Sequence, residues 1–353
     1  MPVFGDKHPK IKRTMTWKCQ GRSTTPLYIF HQMASNKKGD YMNYSTFKNI
    51  SDLTVGEPLH FKKLTLFALK GSDFSKIRYI TLQQATRERL YKISEISEEG
   101  SVPELKFTNN GSLPILIVEG SELIGAKQNR VLNTSVLAPG NQTIIIPVSC
   151  CERSRWAFHS SRDFSFQDRA MYSSSRFHKV ASVNESWTNS GYAESDQQKV
   201  WAQVSGKNQR FRINSNTESM GDFYDTYKSH MDEYVKVYKA EANDLGICAA
   251  IGSQIALIEI FDCNKTFAEN LPMIIRSLAA DAIEISQHQS VPKKADAEAF
   301  LQKLLKSNFT VMGQIGMAQQ VKIANIEQEG QGLIYDSSFI HCFQFNRAFF
   351  QNF

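Results

Sequence analysis

The sequence predicts an α+β fold: an antiparallel, β-rich N-terminal half, a helical segment, and a return to strands at the C-terminus. Three observations carry this. Short β-like apolar runs follow one another from Leu64 to Val148, helical apolar spacing dominates only beyond Asp222, and β-like runs resume near Phe309. No glycine-rich strand–turn–helix is present, which argues against a doubly wound dinucleotide-binding sheet.

The elements follow in order. Leu64, Leu66 and Leu69 mark a first strand and Ile77 to Ile80 a second. Thr81 caps a short helix, because Leu82, Ala85, Arg89 and Leu90 approximate helical spacing. Asn110-Gly111, between Leu105-Phe107 and Leu113-Val118, predicts a β-hairpin. Strands at 129–137 and 142–148 flank a second turn at Pro139-Gly140-Asn141. The Ser- and Arg-rich stretch 160–190 reads either as a helix around Asp168 to Phe177 or as a functional loop. Phe223, Tyr227, Met231, Tyr234 and Tyr238 share one helix face, read as core packing, and Leu245-Gly246 closes that helix. A hairpin turns at Gly252-Ser253. Helices near 265–286 and 295–306 and strands near 309–315, 320–327 and 332–345 complete the chain.

Charge divides the chain unevenly. The first 50 residues hold nine Lys and Arg against Asp6 and Asp40, leaving 32 basic and 33 acidic residues for the remainder. Residues 1–55 are therefore expected to form a basic, flexible arm and residues 56–347 a single α+β domain. A balanced body is not expected to bind nucleic acid, whereas the arm either stays solvated or contacts an acidic partner. No secretory apolar segment follows Met1. Ile247 to Phe261 is too short and too polar to span a bilayer, so no membrane partner is expected. Six cysteines without CxxC spacing read as reduced thiols of an intracellular, cytoplasmic protein. With neither CxxC nor HxxxH, no bound metal is expected, and the cofactor is unknown.

Chemistry concentrates in two runs. Gly125-Ala126-Lys127-Gln128-Asn129-Arg130 and Pro147-Val148-Ser149-Cys150-Cys151-Glu152-Arg153-Ser154-Arg155-Trp156 flank the expected hairpin and so emerge at the same end. Lys127, Arg130 and Arg155 suit a phosphate or pyrophosphate, Gln128 and Asn129 suit sugar hydroxyls or a base edge, and Trp156 suits stacking. The same residues also fit a structural network, with Arg130 and Arg155 paired to Glu119, Glu122 or Glu152. Cys150 is a candidate nucleophile without a histidine in its motif, His159 and His178 being nearest in sequence. Glu119 and Glu152 are candidate acid/base groups, and Glu122 could join them on a cation. Gln198 and Trp201, spaced i and i+3 on a helix, either line the pocket or pack against it.

The same segments, with Gly100-Ser101-Val102-Pro103-Glu104-Leu105 before them and Gln198 to Trp201 after, resemble the family of domains associated with ADP-ribosylglycohydrolases and rhodanese-type phosphatases. The resemblance spans roughly residues 60 to 345 and departs from the family pattern at Cys151. It implies binding or processing of an ADP-ribose-like or NAD-derived nucleotide at a polar pocket formed by residues 119–156. Any reaction would be that of a hydrolase or transferase. A non-catalytic nucleotide-sensing or protein-interaction module and a cysteine-dependent hydrolase or transferase are the alternatives.

Overall fold

The computed structural model describes residues 48–157, 163–285 and 290–353. Helix α1 (Lys48–Ser51) leads into the hairpin of β1 (Thr54–Phe61) and β2 (Leu64–Lys70). Of the strand expected at 77–80 only its end forms, as β3 (Ile80–Thr81). It runs into α2 (Leu82–Glu88), where the Thr81 hydroxyl accepts the Gln84 N–H and caps the helix as its spacing predicts. Eight strands follow. They are β4 (Tyr91–Ser94), β5 (Glu104–Asn109), β6 (Ile115–Ile117), β7 (Ser121–Gly125), β8 (Arg130–Leu132), β9 (Val136–Ala138), β10 (Gln142–Cys150) and β11 (Asp163–Ala170).

Strands β10, β5, β4, β11, β7 and β8 close in that order into an antiparallel barrel, while β3, β6 and β9 form a separate small sheet. The Asn110-Gly111 turn therefore exists without the expected hairpin. Asn109 accepts the Gly111 N–H through its side chain, and the chain leaves the barrel for the small sheet. The pair expected at 129–137 and 142–148 holds only at its base, where Leu132, Val131 and Arg130 oppose Val148, Ser149 and Cys150. Nearer the turn β9 splits away and β10 pairs with β5 instead.

Residues 160–190 supply β11 and the long helix α3 (Ser173–Ser190), with 158–162 outside the described residues. Next come α4 (Gln197–Arg210), α5 (Met220–Thr226) and α6 (Lys228–Val237). The aromatic stripe spans the last two helices, and Phe223, Met231, Tyr234 and Tyr238 are buried in the core as expected. Leu245-Gly246 does not close a helix but belongs to β12 (Asp244–Ile251), which pairs with β13 (Gln254–Phe261) around the predicted Gly252 turn. A Cβ at Gly246 would lie 2.3 Å from the Glu259 carbonyl oxygen, so this glycine serves the close approach of a neighbouring strand.

The chain ends with α7 (Asn264–Ala282), α8 (Lys294–Leu305), β14 (Asn308–Ile315), β15 (Ala318–Ala324), β16 (Gln328–Tyr335), β17 (Ser338–Asn346) and α9 (Arg347–Phe350). The single strand expected at 332–345 is thus part of a hairpin, turned by Asp336 and Ser337 in the left-handed region. An eight-stranded antiparallel sheet runs β1-β2-β12-β13-β17-β16-β15-β14. It is covered on both faces. Ile247, Ala249 and Ile251 of β12 join the core shared with the barrel and α7, whereas Leu245, Cys248 and Ala250 join a second core with α8. Ile50, Leu53 and Val55 also belong to the second core, inside the span that charge assigned to the arm. Residues 1–47 of that arm lie outside the described residues.

Candidate functional site

The two polar runs meet at one end of the barrel because Arg130 and Cys150 are register partners. Residues 126–129 fold back over the second run. The Asn129 N–H donates to Glu152 Oε2 (3.0 Å), and Arg155 grips the same carboxylate through Nε (2.9 Å) and Nη2 (2.7 Å). Arg155 also donates to the carbonyls of Ala126 (2.7 Å) and Ala157 (3.0 Å) and to Asn129 Oδ1 (3.2 Å). On the other side the N–H groups of Arg153 and Ser154 donate to the Thr217 carbonyl, and the Met220 N–H donates to that of Cys151. Burial pushes the Glu152 carboxyl up, but the Arg155 and Asn129 hydrogen bonds outweigh it and hold it below the usual range. An ionised, doubly bonded carboxylate is a brace and a poor general acid. Arg155 has likewise committed its fork to the protein.

Cys150 is equally enclosed. Its thiol donates to the Glu152 carbonyl (2.8 Å) and lies 3.1 Å from Gln128 Oε1, while Arg130 Nη1 approaches the sulfur at 3.6 Å. Burial raises the thiol above its ordinary value despite the guanidinium, so the neutral form dominates at pH 7. The backbone of Cys150 is held at both ends by Gln197, which accepts its N–H (2.8 Å) and donates to its carbonyl (2.7 Å). Gln198, the neighbour picked out in the sequence, is exposed on α4 and is not brought to the site. Trp201 is brought there. Its buried indole nitrogen faces the Cys150 thiol, and Arg153 lies over its ring.

Arg130 differs from these groups. It is fully buried and uses Nη1 on the Gln128 carbonyl (2.9 Å), yet among the described residues Nε and Nη2 have no hydrogen-bond partner. Nη2 forms a long ion pair with Oε1 of Glu95, just past β4, at 3.9 Å, and neither oxygen of that carboxylate has a hydrogen-bond partner among the described residues. The Trp156 ring, half-exposed, covers the Arg130 guanidinium and the Lys127 ammonium at 5.8 and 5.4 Å from its centroid. Lys127 donates in turn to the carbonyls of Glu98 and Glu99.

Two expected acids fall elsewhere. Glu119 is buried between the barrel and the large sheet, paired with Arg176 (2.9 Å) and Lys179 (2.6 Å). Arg176 continues to Glu259, which His341 also contacts at 3.2 Å. Glu119 is therefore a structural tie between layers and is not grouped with Glu152. Glu122 is buried against Arg169 and lies 3.8 Å from the Cys151 sulfur. Burial raises its carboxyl in spite of that arginine.

Glu95 and Gln197 escape sequence reasoning for different reasons. Glu95 lies in a Ser- and Glu-rich stretch that resembles a solvated loop. Gln197 precedes the chosen residue by one, and only the Asp196 cap of α4, whose side chain accepts the Lys199 N–H, sets the helix phase that turns it inward. Clefts of about 180 Å³ and 290 Å³ lie elsewhere, one beside Tyr79 and Cys263, the other beside Gln254 and Phe300; neither is lined by the two runs. At the barrel end Trp156 closes over Arg130, so the polar pocket expected at 119–156 is capped there by an indole. Among the described residues, no group of three His, Cys, Asp or Glu side chains could hold a metal ion.

No curated protein and no solved structure matches the chain significantly. The family model described as the ARG and rhodanese-phosphatase-superfamily-associated protein domain matches residues 52–345, and the chain belongs to that family.

Proposed function

We propose that the barrel end recognises an ADP-ribose-like or NAD-derived nucleotide, and that it binds this ligand without turning it over. The observation that carries the reading is Arg130, a buried guanidinium beneath a half-exposed indole, two of whose nitrogens have no hydrogen-bond partner among the described residues. Native proteins rarely leave such donors unmet, and a site that pairs them on ligand binding accounts for them. Arg153, half-exposed beside Trp201, is the guanidinium a diphosphate would meet at the solvent edge. Membership of a family associated with ADP-ribosylglycohydrolases supports the ligand class.

The state of the other candidates favours recognition over catalysis. Cys150 is held as a neutral thiol, Glu152 is bound by Arg155, and Glu119 is sealed into a distant ion-pair network. A thermal-shift panel of NAD, ADP-ribose and ADP-ribosylated peptide, run beside a product assay, tests this. A rise in melting temperature with ADP-ribose or NAD and no product is expected. The reading fails if no member of the panel shifts the melt, and its non-catalytic part fails if product accumulates.

A further inference from the structure

We infer that the buried Glu95–Arg130 pair is a hydroxyl-recognising subsite that takes the vicinal diol of a sugar beneath the Trp156 ring. The inference rests on the nucleotide reading for its location but assigns a different chemistry to Arg130 from the phosphate contact its residue type suggests.

Among the described residues, Arg130 Nε and Nη2 are two donors without hydrogen-bond acceptors, and Glu95 Oε1 and Oε2 are two acceptors without hydrogen-bond donors, all four buried. The facing atoms stand 3.9 Å apart, beyond hydrogen-bond range, so the pair bears the cost of desolvation without the full return of a direct contact. A phosphate would satisfy Arg130 but bring its charge against the Glu95 carboxylate, which also lies in this enclosed site. A neutral group that both accepts and donates fits both sides. Each hydroxyl of a vicinal diol can accept from the guanidinium and donate to the carboxylate, so two hydroxyls match the four open atoms.

The surroundings fit a sugar. Gly100, in the left-handed region at φ +76°, packs its backbone closely here: a Cβ would meet Glu95 Oε2 and Lys127 Cδ at 3.3 Å and Trp156 Cζ2 at 3.4 Å, so a larger residue would crowd the carboxylate and the indole that the sugar must reach. The indole offers an apolar face for the C–H side of a sugar ring. Because Trp156 is 48% exposed, it is the part of the enclosure that a ligand can displace without breaking the core.

Calorimetric titration of the 353-residue chain with ribose 5-phosphate and 2-deoxyribose 5-phosphate tests the inference, since only the first carries the 2,3-diol. Ribose 5-phosphate should bind about tenfold tighter or more, as expected for hydrogen bonds to charged groups. Glu95→Gln should abolish that preference, and Trp156→Ala should weaken both sugars. Equal affinity for the two sugars, no binding of either, or a preference that survives in folded Glu95→Gln overturns the subsite. If Glu95→Gln does not fold, the two sugars on the parent protein and on Trp156→Ala decide the matter. ADP-ribose separates the two readings. Its binding alongside indifference to the diol sinks the subsite alone, whereas a Glu95-dependent ribose preference without ADP-ribose binding supports the subsite and removes the nucleotide.

Discussion

Arg155 and Arg130 are both arginines of the motif, but their surroundings give them different work. Arg155 spends its guanidinium on Glu152, Asn129 and three backbone carbonyls. Lysine keeps the charge but cannot reproduce the fork, so Arg155→Lys should cost roughly 1.5–3 kcal/mol of stability without ligand. Urea or thermal melts read this directly, and an unchanged melt would show that the brace is not needed. Cys150 should behave as a buried thiol. Iodoacetamide at pH 7 should spare Cys150, Cys151, Cys248 and Cys342 in the native protein and modify them once it is unfolded, with Cys263 the more accessible of the described thiols. Peptide mapping that finds Cys150 alkylated as fast in the native as in the unfolded protein would restore the nucleophile hypothesis. The residue types at the site were legible in the sequence. Their wiring was not, because whether a guanidinium faces a ligand or a carbonyl depends on how residues 126–129 fold back over 152–155.

At the scale of elements, the barrel and the large sheet are joined by buried charge. Burial alone would raise Glu259, but Arg176 and His341 outweigh it and hold its carboxyl at about 2. A carboxyl depressed in the folded state stabilises fully above its unfolded value, about 4.3, and loses that contribution as the pH falls through its folded value. Stability to urea should therefore drop between about pH 4 and pH 2. The drop should be shallower in Glu259→Gln, even though that variant starts less stable. A parent and a variant with the same acid slope would contradict the assignment. Element types were readable where a period ran long enough, as in α7 and α8, or where a cap was local, as at Thr81. Partners were not. Asn110-Gly111 marks a change of direction, but the pairing of β5 with β4 and β10 is set by barrel closure, which no local turn signal encodes.

For the whole molecule, the charge boundary and the packing boundary differ. Net charge changes near residue 50, yet Ile50, Leu53 and Val55 already fill the core beneath α8. A chain beginning at Lys48 should melt several degrees above one beginning at Gly56, since the latter loses these buried apolar side chains. Equal melting temperatures would show that α1 and the start of β1 add nothing to the fold. The overall class was legible because both faces of the large sheet are covered and its strands read as continuous apolar runs. The barrel end as a place where ligand recognition is built into the fold is the central claim. Calorimetric titration with ADP-ribose of the parent protein and of Trp156→Ala tests it most directly. The account predicts saturable binding by the parent, weakened about tenfold or more in the variant with its fold intact. No heat of binding in the parent, or equal affinity in the two proteins, would contradict it.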